Sequence, residues 1–129
     1  MKAISTVWPG GEHSFRLGLA ELEAVQQKTD YGPEWLLHRI NTGQWKTDDL
    51  FEVLRFGLIG GGMDAAQAKS LVHTAFERHP AIGFKVPAQA VLAAFLYGPP
   101  DDPVGEDLPV GPTPESEKTG DGSSAATTD

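Results

Sequence analysis

A chain of 129 residues without cysteine has room for one modest hydrophobic core and not for two ordinary domains, and it excludes disulfide frameworks and thiolate chemistry. The formal net charge of −8 is confined to one end: residues 1 to 98 hold ten acids against nine bases, whereas residues 99 to 129 hold eight acids against Lys118 alone. The nearly neutral part has no cluster of Lys or Arg, which argues against nucleic acid as a partner.

Two runs rich in β-formers, "AISTVW" and "HSFRLG", are separated by "PGGE". Pro-Gly-Gly is turn chemistry, so a β-hairpin is predicted at the N-terminus. Phe15 and Leu17 lie two apart and share the face that packs on helices. From Leu19 to about Lys28, Leu22 and Val25 follow Leu19 at steps of three, which predicts an amphipathic helix with all three inward. A short helix follows in "YGPEWLLHRINTG", with Pro33 in its first turn, Gly43 at its C-terminal cap and Leu36, Leu37 and Ile40 inward. Thr47 can cap the next helix, Asp48 and Asp49 favour its first turn, and Leu50, Leu54 and Leu58 recur along it until the glycines Gly60, Gly61 and Gly62. Asp64 and Gln67 have capping-box spacing ahead of a face formed by Ala68, Leu71, Val72, Ala75 and Phe76, and that helix ends at "RHP". The last helix has Pro87 at an N1-like place, Ala90, Val91, Ala94 and Phe95 inward, and Gly98 at its close.

From Pro99 the chain has six prolines, four glycines and no aromatic residue. Such a segment cannot offset the roughly 1–2 kcal/mol of backbone entropy lost per ordered residue, so disorder is predicted for 99–129. The expected fold class is therefore α+β and mainly helical. An N-terminal β-hairpin leads a compact bundle of about five short helices over residues 1–98, and a disordered acidic C-terminal tail follows.

No constellation carries chemistry. A phosphate loop needs a strand before its glycines and Lys-Ser/Thr after them, but a helical pattern precedes Gly60 and Met63 follows Gly62. These three glycines are assigned to a helix-helix corner, where they permit positive φ and close backbone approach. The histidines His13, His38, His73 and His79 form no i, i+4 pair, and His79 suits a helix end. Glu21/Glu23 and Asp48/Asp49 read as solvated faces or first-turn charges, and Ser5, Ser14 and Ser70 have no nucleophile-elbow setting. No catalytic, cofactor-binding or metal-ligating residue is assigned, and no cofactor is expected. The opening "MKAISTVWPG" has no apolar run of signal-peptide length, and no later segment approaches a membrane span. A soluble intracellular protein with no membrane partner is the expectation.

Trp8 borders the hairpin turn, Trp35 begins a short helix and Trp45 lies in the loop "TGQWKT". Each can cover an end of the core, and each can anchor a partner.

The succession "GGEHSFRLGLAELEAVQ", "LLHRINTGQWKTDDLFEVLRFGLIGGGMDAAQAKSLV" and "PAQAVLAAFLYG" resembles the gene transfer agent family proteins over about residues 10 to 98. The strongest pieces are Leu19-Ala20-Glu21-Leu22-Glu23 and the run from Leu50 through Gly62. The resemblance implies a small, mainly helical, non-enzymatic protein of a siphophage-like tail, encoded in a prophage or gene transfer agent cluster. Two roles follow from it: a tail assembly chaperone that coats the tape-measure protein in the cytoplasm, or a structural, tube-associated tail component of the virion. A tube subunit closes through large interfaces and one hairpin offers few, which turns this reading toward the chaperone. The expected partner is the tape-measure or another tail protein, with self-association compatible. Its proposed binding surface is Trp35, Trp45, Phe51 and Phe56, of which Phe56 lies off the leucine stripe.

Overall fold

In the computed structural model, which describes residues 2–100, the chain runs β1 (Ile4–Trp8), β2 (Gly11–Phe15), α1 (Leu19–Thr29), α2 (Pro33–Asn41), α3 (Thr47–Gly60) and α4 (Ala65–Arg78). A 3-10 turn over Ala81–Phe84 then leads into α5 (Lys85–Tyr97). The architecture is a two-stranded antiparallel hairpin followed by five α-helices, as the sequence pattern predicts. The predicted disorder of the tail concerns residues of which all but Pro99 and Pro100 lie outside the described ones.

The hairpin is tighter than its composition suggests. Gly11 and Glu12 belong to β2, because Trp8 pairs with Gly11 and Val7 with Glu12 across a turn of only Pro9 and Gly10. The pairing places Ile4, Thr6, Trp8, His13 and Phe15 on the inner face and Ser5, Val7, Glu12 and Ser14 on the outer one. Phe15, and Leu17 just past the strand, are both about 1% exposed.

Helix α3 is the axis of the fold. It touches α1, α2, α4, α5 and β2, and no residue from Asp49 to Gly61 is exposed. Leu50, Val53, Leu54 and Leu58 are fully buried along it. Around it an aromatic line joins elements far apart in sequence. Phe51 packs on Phe76 at 5.6 Å, Phe76 stacks on Phe84 at 3.9 Å, and Trp8 meets Phe84 and Phe15 edge-on at 6.2 and 5.9 Å. Such pairs add about 0.5–1.5 kcal/mol each beyond area burial.

The remaining helix ends follow local chemistry. Gly43 has φ +79° and, with Gln44, closes α2 by bonds from Gly43 N–H to Ile40 O and from Gln44 N–H to Arg39 O, the Schellman arrangement. Asp64 accepts from Gln67 N–H at 3.2 Å and starts α4. At α3, however, the N-cap is Lys46 rather than Thr47: the carboxylate of Asp49 reaches back to Lys46 N–H at 2.8 Å, so the third residue of the helix supplies the cap.

Two apolar assignments change. Leu19 is 72% exposed, not inward. In α5, which starts at Lys85 rather than near Pro87, Phe95 packs against the core as expected but Ala90 is only half-buried, while Ala88 and Leu92 are completely covered.

Candidate functional site

The candidate site is sought among the surfaces of the fold and the contacts behind them. Gly60, Gly61 and Gly62 sit where α3 gives way to α4. A Cβ on Gly60 would collide with the carbonyl oxygen of Arg16, and one on Gly61 with that of Ser14, both backbone atoms at the end of β2. Gly62 has φ +116°, a conformation that side chains rarely adopt. One turn earlier Gly57 O accepts from Arg16 N–H at 2.9 Å, and a Cβ on Gly57 would come within 3.1 Å of Phe15 and Val91. The glycines thus do more than turn the chain: they let β2 lie directly on the backbone of α3. The spacing of Gly57 from Gly60 and Gly61, one helical turn, is the sequence signal for this contact, and it was readable only once a strand was known to lie there.

Beside this contact lies an open groove of about 460 Å³ lined by Ser5, Glu12, His13, Ser14, Leu58, Gly61, Met63 and Gln67. Three of its polar side chains, Ser5, Glu12 and His13, are engaged with one another or with the core. Ser5 donates to Glu12 at 3.2 Å, and the Trp8 indole N–H donates to His13 Nδ1 at 2.8 Å. His13 is therefore the acceptor that satisfies a tryptophan only 4% exposed, a diagonal cross-strand pair that the tight register creates. The other histidines are dispersed: His38 stacks on Trp35, His73 lies 3.9 Å from Glu77 on an exposed face, and His79 ends α4 through its backbone N–H to Ala75 O. Among the described residues no three His, Asp or Glu side chains could hold a metal ion, and no helix is long and apolar enough to cross a membrane.

Two of the four carboxylates read as solvated faces or first-turn charges have inner roles, while Glu23 and Asp48 are exposed as expected. Glu21 accepts from Gly18 N–H at 2.9 Å and caps α1. Asp49 is fully buried, and its Oδ2 takes Lys46 N–H together with Arg39 Nη2 at 3.2 Å and Nε at 3.4 Å. Arg39 in turn lies over the Tyr31 ring at 4.3 Å, with Lys46 Nζ at 5.4 Å from the same ring. One latch thereby joins the α1–α2 link, α2, the loop after it and α3. An aspartate at the start of a helix, ten residues after an arginine, carried no signal that distinguished this from an ordinary first-turn charge.

The four aromatic residues assigned to a partner do not converge. Phe51 and Phe56 are five residues apart on α3, about 140° around the helix. Phe51 packs on Phe76, and Phe56 lies under the Arg55 guanidinium at 4.7 Å. Trp45 is half-buried against the core. Trp35 alone of the four is exposed, at 53%, stacked on His38 at 5.0 Å with Glu34 alongside. Other large apolar side chains that face outward are Val7, Leu19, Ile82, Val86 and Tyr97. Replacing Trp35 by alanine should leave the melting temperature within about 2 °C, whereas Phe51→Ala should lower it by about 8 °C or more, because Phe51 supports the aromatic line. Thermal melts followed by circular dichroism check the contrast; equal shifts would mean that Trp35 also belongs to the core.

A family model described as phage tail tube protein, GTA-gp10, matches residues 2–98, the whole of the hairpin and the five helices. Neither a curated protein nor a solved structure matches the chain. The chain belongs to the GTA-gp10 family, a family of phage tail proteins and not of enzymes.

Proposed function

We propose that this member of the GTA-gp10 family is a structural component of the tail of a phage-like particle or gene transfer agent, associated with the tail tube and present in the virion. The observation that carries the reading is the family match, which spans all but a few of the described residues. It is supported by apolar side chains facing outward on several elements, Trp35 on α2, Val86 and Tyr97 on α5 and Val7 on β1, since a protein without a reaction acts through what it binds. On this reading residues 1–98 are the working domain and 99–129 a separate acidic extension. Limited proteolysis should then stop near residue 100, and cuts inside the helices would move the boundary.

The role has a direct test. Quantitative mass spectrometry of purified particles, set against the assembly lysate, should find the chain retained at many copies per particle. Abundance in the lysate with absence from particles would overturn the structural role and leave the second reading. That reading is a tail assembly chaperone that binds the tape-measure protein in the cytoplasm. The observation in its favour is that the described residues contain a single two-stranded sheet, a small edge from which to close a ring. Trp35, Trp45, Phe51 and Phe56 remain the proposed partner contacts, with Trp35 the one whose removal separates binding from folding.

A further inference from the structure

The two edges of the hairpin are treated differently by the rest of the fold. Trp8 and Gly11 flank a two-residue turn, so in this register Trp8, Thr6 and Ile4 exchange hydrogen bonds with β2, and Ser5 and Val7 turn their N–H and C=O groups away from it. On the β2 side the end of the strand is covered: Arg16 N–H donates to Gly57 O at 2.9 Å, and the carbonyls of Ser14 and Arg16 lie against Gly61 and Gly60. On the β1 side, which α5 approaches, no such backbone bond corresponds. Among the described residues, no residue of Ile4–Trp8 makes a backbone–backbone hydrogen bond outside the hairpin, and Ser5 and Val7 are exposed, Val7 at 73%. The strand "ISTVW" holds no lysine, proline or other charge of the kind that keeps edge strands single.

From this we propose that β1 is a pairing edge for a second copy of this chain, two hairpins joining β1 to β1 antiparallel into a four-stranded sheet. The sequence of the strand is self-complementary for that geometry. A twofold axis at Thr6 sets Ser5 of each copy opposite Val7 of the other, and each such pair exchanges two N–H···O=C bonds, four in all. Thr6 meets its own copy at the axis as the close non-bonded pair, a favourable cross-strand combination, and no charge within the strand meets a like charge. Val7 of each copy moves from open water to the outer face of a continuous sheet. Because α3 lies against the Ser14–Arg16 end of the far edge of each hairpin, a third copy is blocked there and addition does not run on into a fibre. The inference stands on the hairpin and does not depend on which tail role the protein has.

The test is sedimentation velocity on the full chain from about 1 μM to about 1 mM, since a small interface gives a weak dimer. The expected result is a monomer at the low end and a dimer at the high end. The Ser5 and Val7 amides should gain hydrogen-exchange protection with concentration, while Thr6 and Trp8 are protected throughout. Val7→Pro removes an N–H that the monomer does not use and should raise the dimer dissociation constant at least tenfold. Its circular dichroism should match that of the parent. Val7→Lys, which brings like charges toward the axis, gives a second reading should the proline disturb the hairpin. A monomer across the whole range, or a dimer that Val7→Lys leaves intact, would overturn the proposal.

Discussion

Replacing Gly60 with alanine is expected to cost about 3 kcal/mol or more and, in a domain of this size, to leave much of the protein unfolded at 37 °C. The reason is the identity of the obstacle. The new methyl group would collide with the carbonyl of Arg16, a backbone atom that cannot rotate aside, and the same strand is fastened one turn earlier by Arg16 N–H to Gly57 O. To relieve the clash β2 must lift from α3, which uncovers Phe15 and Trp8. Gly61→Ala should behave alike through Ser14. Gly62→Ala has space around it but a φ of +116°, so its cost should be nearer 1–2 kcal/mol. Gly32→Ala, where nothing lies within 4 Å, should stay within about 0.5 kcal/mol. Urea denaturation of the four variants checks the order, and a mild Gly60→Ala would mean that the strand does not rest on the helix backbone.

Asp49→Ala should lower stability by about 3 kcal/mol, although it lies on a surface-like helix N-terminus by sequence. Its removal leaves the Arg39 guanidinium, 14% exposed at the side chain, without its carboxylate, and deprives Lys46 N–H of its cap. The stacked Tyr31 ring retains part of the cation's environment, which sets the loss toward the lower end of the range for broken buried pairs. Removing both charges, as Asp49→Ala with Arg39→Met, should cost clearly less than the sum of the single changes, since no buried charge then remains unpaired. Additive losses in the double-mutant cycle would show that the two residues act independently.

Periodicity and punctuation carried most of the architecture. The stripe of Leu50, Leu54 and Leu58, the cap at Asp64, the stop at Pro80 and the turn at Pro9–Gly10 each express a local preference that the tertiary structure keeps. What escaped local reading depends on partners distant in the chain. Leu19 looks inward by spacing and is exposed, whereas Leu22 and Val25 on the same helix are buried. Asp49 looks solvated and is buried because α2 brings Arg39 to it. The start of α5 shifted because a 3-10 turn, which has no strong signature, precedes it. The candidate surface was legible least of all: residue type marked four aromatics, but only packing separates the exposed Trp35 from Phe51, Phe56 and Trp45, which rest against the core.

The aromatic line also orders events in time. The hairpin is made before the helices at the ribosome, yet Trp8 rests on Phe84, and β1 lies against α5, the last helix among the described residues. At about 5–20 residues per second, roughly 4–18 s of synthesis separate the strand from the surface that covers it. Until then the inner face of "ISTVW" and its open edge are bare together. The earliest of the described elements to be translated is thus among the last to be shielded, and in the nascent chain it is a segment that a holding partner would protect.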